Sequence, residues 1–357
     1  MPTSRRRRLV GLIATATCAA TSAARAQATS VQDGEKVSPL FQSAAPLAVT
    51  FTANMGQLRD DKKHGDKAPW RGATLTYRGA DSAAVRVPLR AKVHGIWRLA
   101  HCDFPPIRLN FAGKDTKNTV FDHIDKPKLT NYCKDNDAYE QYVLQELQLY
   151  RIYQLLTPMS HRVRLLRVTY ADSGSGRTET VRHGFLIEDP DQMAARLGGK
   201  LTKLKGAGIG DFEQEPLAVT YMFQYLIGNT DFSFNQLHNA EIVALPDGRN
   251  LPVAYDFDFS GAVNARYATP DPSVRITKVR YRKFRGYCQM NPEFVKAIPV
   301  FQQKKDAIYA LYTDEVGRLM DPAIVRETLD YFNEFYDAIS DPGKAERVIF
   351  RDCLGPR

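Results

Sequence analysis

Several signatures are missing from this chain, and each absence narrows its chemistry. His94, His101, His123, His161, His183 and His238 show no H-x-x-x-H spacing, which argues against zinc hydrolase chemistry. No G-x-S-x-G occurs, so no nucleophile elbow is signalled. No G-x-G-x-x-G occurs either, and Val93-His94-Gly95-Ile96-Trp97-Arg98 is the one candidate phosphate turn. There is no internal repeat. Past the first residues no apolar run is long enough to span a bilayer. The cysteine spacings match no zinc signature. Excess charge is small as well. The formal +9 includes five arginines within residues 1–28, a stretch with no acid, and without them the balance is +4. That does not argue for a nucleic-acid partner.

What is present is ordinary globular composition. The 357 residues are 43% hydrophobic and 25% charged, enough for one large domain or two lobes with a substantial core. Residues 1–28 read as an export signal: Arg5–Arg8 form a basic start, residues 9–20 a short apolar run, and Ala26-Gln27-Ala28 an A-x-A cleavage site. Arg6-Arg7-Arg8-Leu9-Val10 also fits a twin-arginine signal, so a Sec or a Tat route is expected, to a periplasmic or secreted destination. Cys18 would leave with the signal. Cys102, Cys133, Cys288 and Cys353 remain, an even number for an oxidising compartment. Three connectivities exist. Pairing within each half, Cys102 with Cys133 and Cys288 with Cys353, is favoured over the alternatives and over four buried thiols.

Residues 29–72 are rich in Ser, Ala, Lys and Asp, with one apolar stretch at Leu47–Phe51, and read as a partly disordered or loosely attached lead-in. Residues 73–189 form a β-rich part, with strands expected at 74–77, 84–93, 107–111, 162–170 and 178–187. One long helix, 138–156, interrupts them and ends at Thr157-Pro158. Glu146 lies on its apolar stripe, four residues from Tyr142 and Tyr150, so it faces the protein and calls for a cationic partner. Residues 190–357 are mostly helical: a short helix at 190–197, a basic glycine-rich loop at 198–210, an apolar helix at 217–227, and closing helices at 292–313 and 322–339. The basic run from Arg275 to Arg285 reads as a solvated face, or as a dock for an acidic peptide, a phosphorylated glycan or an anionic membrane.

Residues 226–261 carry the chemistry. Two polar knots, Gly228-Asn229-Thr230-Asp231 and Asp256-Phe257-Asp258, flank apolar runs at 240–245 and 251–255, with Pro246-Asp247-Gly248 as a turn between them. A hairpin returns the chain to its start, so Asp231 and Asn239 are expected beside Asp256 and Asp258. Such hard oxygen ligands suit Mg²⁺ or Mn²⁺ bridging phosphates. Acids set among Tyr255, Phe257 and Phe259 are costly to desolvate without a partner or a cation. Read blandly, the same Asn, Asp and Gly residues mark two loops.

The order of elements, with these knots, resembles the CotH-type atypical kinases and more distantly the HipA-type kinases, over about residues 85–340. The resemblance implies an α+β, bilobal, protein-kinase-like fold: a β-rich N-lobe with one long helix, and a helical C-lobe holding a metal-site hairpin. Ile227-Gly228-Asn229-Thr230-Asp231 resembles the GN-x-D element, His238-Asn239 the HN pair, and Tyr255-Asp256-Phe257-Asp258 the acidic metal-binding segment. It implies Asp231 as the catalytic acid–base group and Asn239 and Asp256 as metal ligands, with Asp258 as a further ligand. Asn235 is an alternative to Asn239, which follows Asp231 by eight residues rather than the usual five. Glu146 would pair with a nucleotide-binding cation, either Lys128 or Arg108. ATP or another nucleotide and Mg²⁺ or Mn²⁺ are the implied cofactors, with a protein or small-molecule hydroxyl as acceptor. The sparse nucleotide elements leave two alternatives: a catalytically inactive kinase-like envelope binding module, and a metal-dependent phosphohydrolase.

Overall fold

A computed structural model describes Met1 and residues 37–356; the expected export signal and Cys18 lie outside the described residues. Seven strands close into a barrel: β1 (Leu47–Ala53), β2 (Arg71–Arg78), β3 (Ala84–Val93), β4 (Ile107–Phe111), β5 (Lys128–Thr130), β6 (Val163–Asp172) and β7 (Thr178–Ile187). Their order around it is β1-β2-β3-β4-β5-β7-β6. Alternation builds the wall. Along β3 Val87, Leu89, Ala91 and Val93 are buried while Arg86, Pro88 and Arg90 face outward. The lead-in reading of residues 29–72 is corrected here. β1 lies within that stretch, yet it pairs antiparallel with β2 and parallel with β6, sealing both edges. Its Val49, Phe51 and Ala53 point into the core and supply the burial that holds it.

Between the barrel and the helical half runs α4 (Asp137–Leu156), the fourth helix after α1 (Met55–Asp60), α2 (Trp97–His101) and α3 (Gly113–Thr116). The Asn136 side chain caps its first turn by accepting from the Tyr139 N–H, and Asp137 and Glu140 complement the helix dipole there. From Val143 to Tyr153 nearly every side chain is buried, because the helix packs on β6 and β7 on one side and on later helices on the other. Those later helices are α5 (Pro190–Arg196), α6 (Gln214–Ile227), α7 (Asn291–Ala310), α8 (Pro322–Ala338) and α9 (Pro342–Val348). The hydrophobic interior falls into a barrel cluster, a larger cluster around α4, α6, α7 and α8, and a small one under the hairpin.

The hairpin forms where expected, from β9 (Ala240–Ala244) and β10 (Asn250–Ala254). The glycine-rich loop contributes a third strand, β8 (Lys200–Thr202), beside β9. Upstream, α6 ends at Gly228 in the left-handed conformation (φ 65°), where a Cβ would meet Tyr331 Oη at 1.9 Å. The basic run is not a simple solvated face. Arg282 donates to the carbonyls of Tyr225 and Leu226 at the end of α6 and lies 3.4 Å from the Tyr331 ring centroid. Arg280 donates to the Gly261 carbonyl, and Arg285 to those of Thr230 and Phe232. These guanidiniums satisfy carbonyls that the loops around residues 228–232 and 261 leave open. The disulfides Cys102–Cys133 and Cys288–Cys353 both form, as favoured from the sequence, and fit an oxidising compartment. Among the described residues no helix is long and apolar enough to cross a membrane.

Candidate functional site

Hairpin pairing fixes the first half of the site. Ala240 opposes Ala254, and one step further the Tyr255 N–H donates to the Asn239 carbonyl at 3.1 Å. Asn239 and the residue next to Asp256 are therefore neighbours. Asn239 in turn holds Asp231: its Nδ2 donates to the Asp231 carbonyl at 2.8 Å and to Oδ2 at 3.0 Å. His238 Nε2 lies 2.8 Å from Asp231 Oδ1. Asn239 and Asp256 both adopt positive φ, 49° and 61°. Residues with a Cβ accept that conformation at a cost, and such strain gathers at functional sites.

Asp256 and Asp258 extend from the end of β10 towards α4. The Asp256 N–H donates to Tyr150 Oη at 2.8 Å, and its Oδ1 is 3.5 Å from Lys128 Nζ on β5. Burial disfavours the Asp256 anion, but the charges of Lys128 and Arg98 outweigh it and hold the carboxyl below its usual range. Asp258 is buried and accepts from Tyr267 Oη at 3.0 Å. Burial, then the Asp256 charge, pushes it up to about 6. Glu146 is 3% exposed and its Oε1 has no hydrogen-bond partner. Burial, then Asp258 and Asp256, raise it well above the carboxylate range, against Lys128 and Arg98. Glu146 thus faces the protein as expected, but Lys128 reaches Asp256 and not Glu146.

The expected convergence is partial. Lys128, Asp256, Asp258 and Glu146 form one electrostatic group, and Asp231 with Asn239 a second, joined through the hairpin end. Asn235 joins neither: its amide points to the Ala207 carbonyl, in a separate pocket with Phe212, Tyr221 and Arg285. Among the described residues no three His, Cys, Asp or Glu side chains are grouped to hold a metal ion. Each acid instead has a neighbour of its own, His238 and Asn239 for Asp231, Lys128 for Asp256 and Tyr267 for Asp258. Glu146 Oε1 has no hydrogen-bond partner, and a cation beside Asp256 and Asp258 would relieve the repulsion that raises Asp258.

Beside these groups lies a cavity of about 600 Å³ including its mouth. Part of its lining is cationic, with Arg108, Lys126 and Lys128 around His94. Lys92, Arg108 and Lys128 are direct cross-strand partners on β3, β4 and β5; Lys92 lies over the Trp70 ring, Arg108 is 3.8 Å from Asp189 and Lys128 is 3.5 Å from Asp256. Burial, then Lys128 and Arg108, lower His94 to about 3, so this ring is neutral, and its buried Nε2 has no partner. Ile187, the cross-strand partner of Lys128, also lines the cavity, as do Pro190, Tyr255, His161 and Glu241. His161 Nε2 is 2.9 Å from Glu241 Oε2 and Nδ1 is 3.2 Å from the Glu188 carbonyl. Both neighbours are oxygen acceptors, which favours the doubly protonated ring. Burial opposes that cation, but the Glu241 charge and hydrogen bond outweigh it and raise the imidazole.

Sequence reasoning placed Lys128, Arg108, Glu146 and the hairpin acids but missed His161 and Glu241, which lie 80 residues apart with no motif between them. It also missed Tyr267, and it placed Arg98 only at the end of the candidate phosphate turn, whereas both act on Asp258. The signal for His94 was there, a histidine-glycine pair closing β3, with Gly95 at φ 98°. No protein-family model matches this chain, and no curated protein matches it.

Proposed function

We propose that this protein is an exported, metal-dependent, kinase-like phosphotransferase that moves a nucleotide γ-phosphate to a hydroxyl on a protein or small molecule. One observation carries the reading: a cross-strand cation row ends at Lys128, which pairs with Asp256 at 3.5 Å and lines an open cavity together with Arg108 and Lys126. Phosphoryl transfer needs positioning and charge neutralisation above all. Lys128, Arg108 and Lys126 would hold the phosphates, and His94 Nε2 would serve a phosphate or ribose oxygen. Asp256, Asp258 and the Asn239 side-chain oxygen Oδ1 would hold Mg²⁺ or Mn²⁺, which neutralises charge on the phosphates when bound. Asp231, oriented by Asn239 and His238, would take the acceptor proton as the hydroxyl oxygen bonds to phosphorus and the bond to the β-phosphate oxygen breaks. Separate barrel and helical cores, with α4 packed between them, support a bilobal, CotH-like arrangement.

A second reading is favoured by Glu146. Its orphaned Oε1, with Lys128 turned to Asp256, matches a catalytically inactive module that binds an anionic partner at the envelope. The experiment that separates them uses the mature, disulfide-intact protein with ATP and GTP, with and without Mg²⁺ or Mn²⁺. Metal-dependent thermal shifts and γ-phosphate transfer, both lost in Asp256→Ala, are expected. Nucleotide binding without transfer to any acceptor or to water favours the inactive module. No binding, or binding unchanged in Asp256→Ala, overturns the nucleotide site.

A further inference from the structure

The polar lining of the cavity carries more information than nucleotide binding alone requires. A pocket that receives a flat base needs only apolar walls, and Ile187, Pro190 and Tyr255 supply them. Here a carboxylate is built in as well. Glu241 lies on β9 and lines the cavity, with its side chain 18% exposed. His161, 2% exposed, holds one of its oxygens from behind. The ring is fixed in turn by the Glu188 carbonyl, so it cannot swing away without abandoning a buried hydrogen bond. The result is a rigid anionic acceptor that has lone pairs left after His161 is served.

Resting on the nucleotide reading above, we infer that this part of the cavity selects guanine over adenine, with the Glu241 carboxylate accepting from the base's N1–H and N2 amino group. The chemistry of the two purines decides it. Guanine presents two adjacent donors on that edge, which a carboxylate takes together. Adenine presents one amino donor beside the N1 lone pair, and that lone pair repels a carboxylate. Inosine keeps the N1–H and loses the amino group, so it should fall between them. Glu241 is a binding residue in this scheme and takes no part in phosphoryl transfer.

The test is equilibrium binding of non-hydrolysable GTP, ITP and ATP analogues to the mature, disulfide-intact protein with Mg²⁺. The GTP analogue is expected to bind about tenfold or more tighter than the ATP analogue, since hydrogen bonds to a charged acceptor are the strong ones. The ITP analogue should bind with intermediate strength. Glu241→Gln keeps an acceptor for His161 and should bring the GTP and ATP analogues close to equal affinity. The wild-type comparison needs no variant, so a folding defect in Glu241→Gln cannot mask the answer. An ATP analogue that binds as tightly as the GTP analogue overturns the base assignment and leaves the nucleotide site standing. Failure of all three to bind overturns both.

Discussion

Replacing Asp258 by asparagine should make the metal-free protein more stable at neutral pH, although the residue belongs to the proposed site. Asp258 is buried and accepts from Tyr267, a bond that an asparagine carbonyl can keep. Burial and the Asp256 charge raise its carboxyl from 3.8 to about 6. At about 1.4 kcal/mol per pH unit, holding that anion in the fold at neutral pH costs roughly 3 kcal/mol. The sign follows from linkage. Below the unfolded value both states are protonated and the site costs nothing. As pH rises through 4 to 6 the unfolded chain ionises first, so wild-type stability falls relative to the variant. Above 6 the gap is constant. Thermal melts of both proteins from pH 3 to 8, in a chelator, should show Asp258→Asn melting a few degrees higher at pH 7.5 and together with wild type near pH 3. Added Mg²⁺ should raise the wild-type Tm and close the gap. Equal melting temperatures at pH 7.5, or a gap undiminished at pH 3, would refute the electrostatic account of the site.

Glu140 makes the opposite case. Burial opposes its charge, but bonds from His183 and Arg182 pull it down to about 2, so its contribution is complete above about pH 4.5 and is lost as pH falls through 2. Glu140→Gln should therefore destabilise the protein by about 2–3 kcal/mol in urea melts at pH 7, with the difference shrinking in acid. Arg282→Ala removes a nearly buried guanidinium from the carbonyls that end α6. It should cost about 2–4 kcal/mol by the same measurement, and no loss would return the basic run to a solvated face.

The parts of the fold visible in advance are those whose pattern is local. The β9–β10 hairpin announced itself through Pro246-Asp247-Gly248 between two apolar runs, and α4 through its stripe from Tyr142 to Leu156. β1 was hidden because its seven residues sit in a Ser- and Lys-rich surround and gain their burial only from β2 and β6. β5 and β8, three residues each, are strands only by virtue of their neighbours. In the site, the hairpin acids were legible as polar knots among aromatics, while the His161–Glu241 pair was not, because its two halves meet only after β9 docks near β6. Glu146 shows the limit from the other side. Its inward direction follows from helical spacing, but the cation it should meet was decided by whether Lys128 turns to it or to Asp256.

Parallel closure of the barrel has a consequence for biosynthesis. Leu47 is made early, yet its lateral partner Leu166 leaves the ribosome more than a hundred residues later. Until then the first stave has β2 on one flank and nothing on the other, and the vessel stays open. A chain built this way postpones its own completion until the last stave arrives.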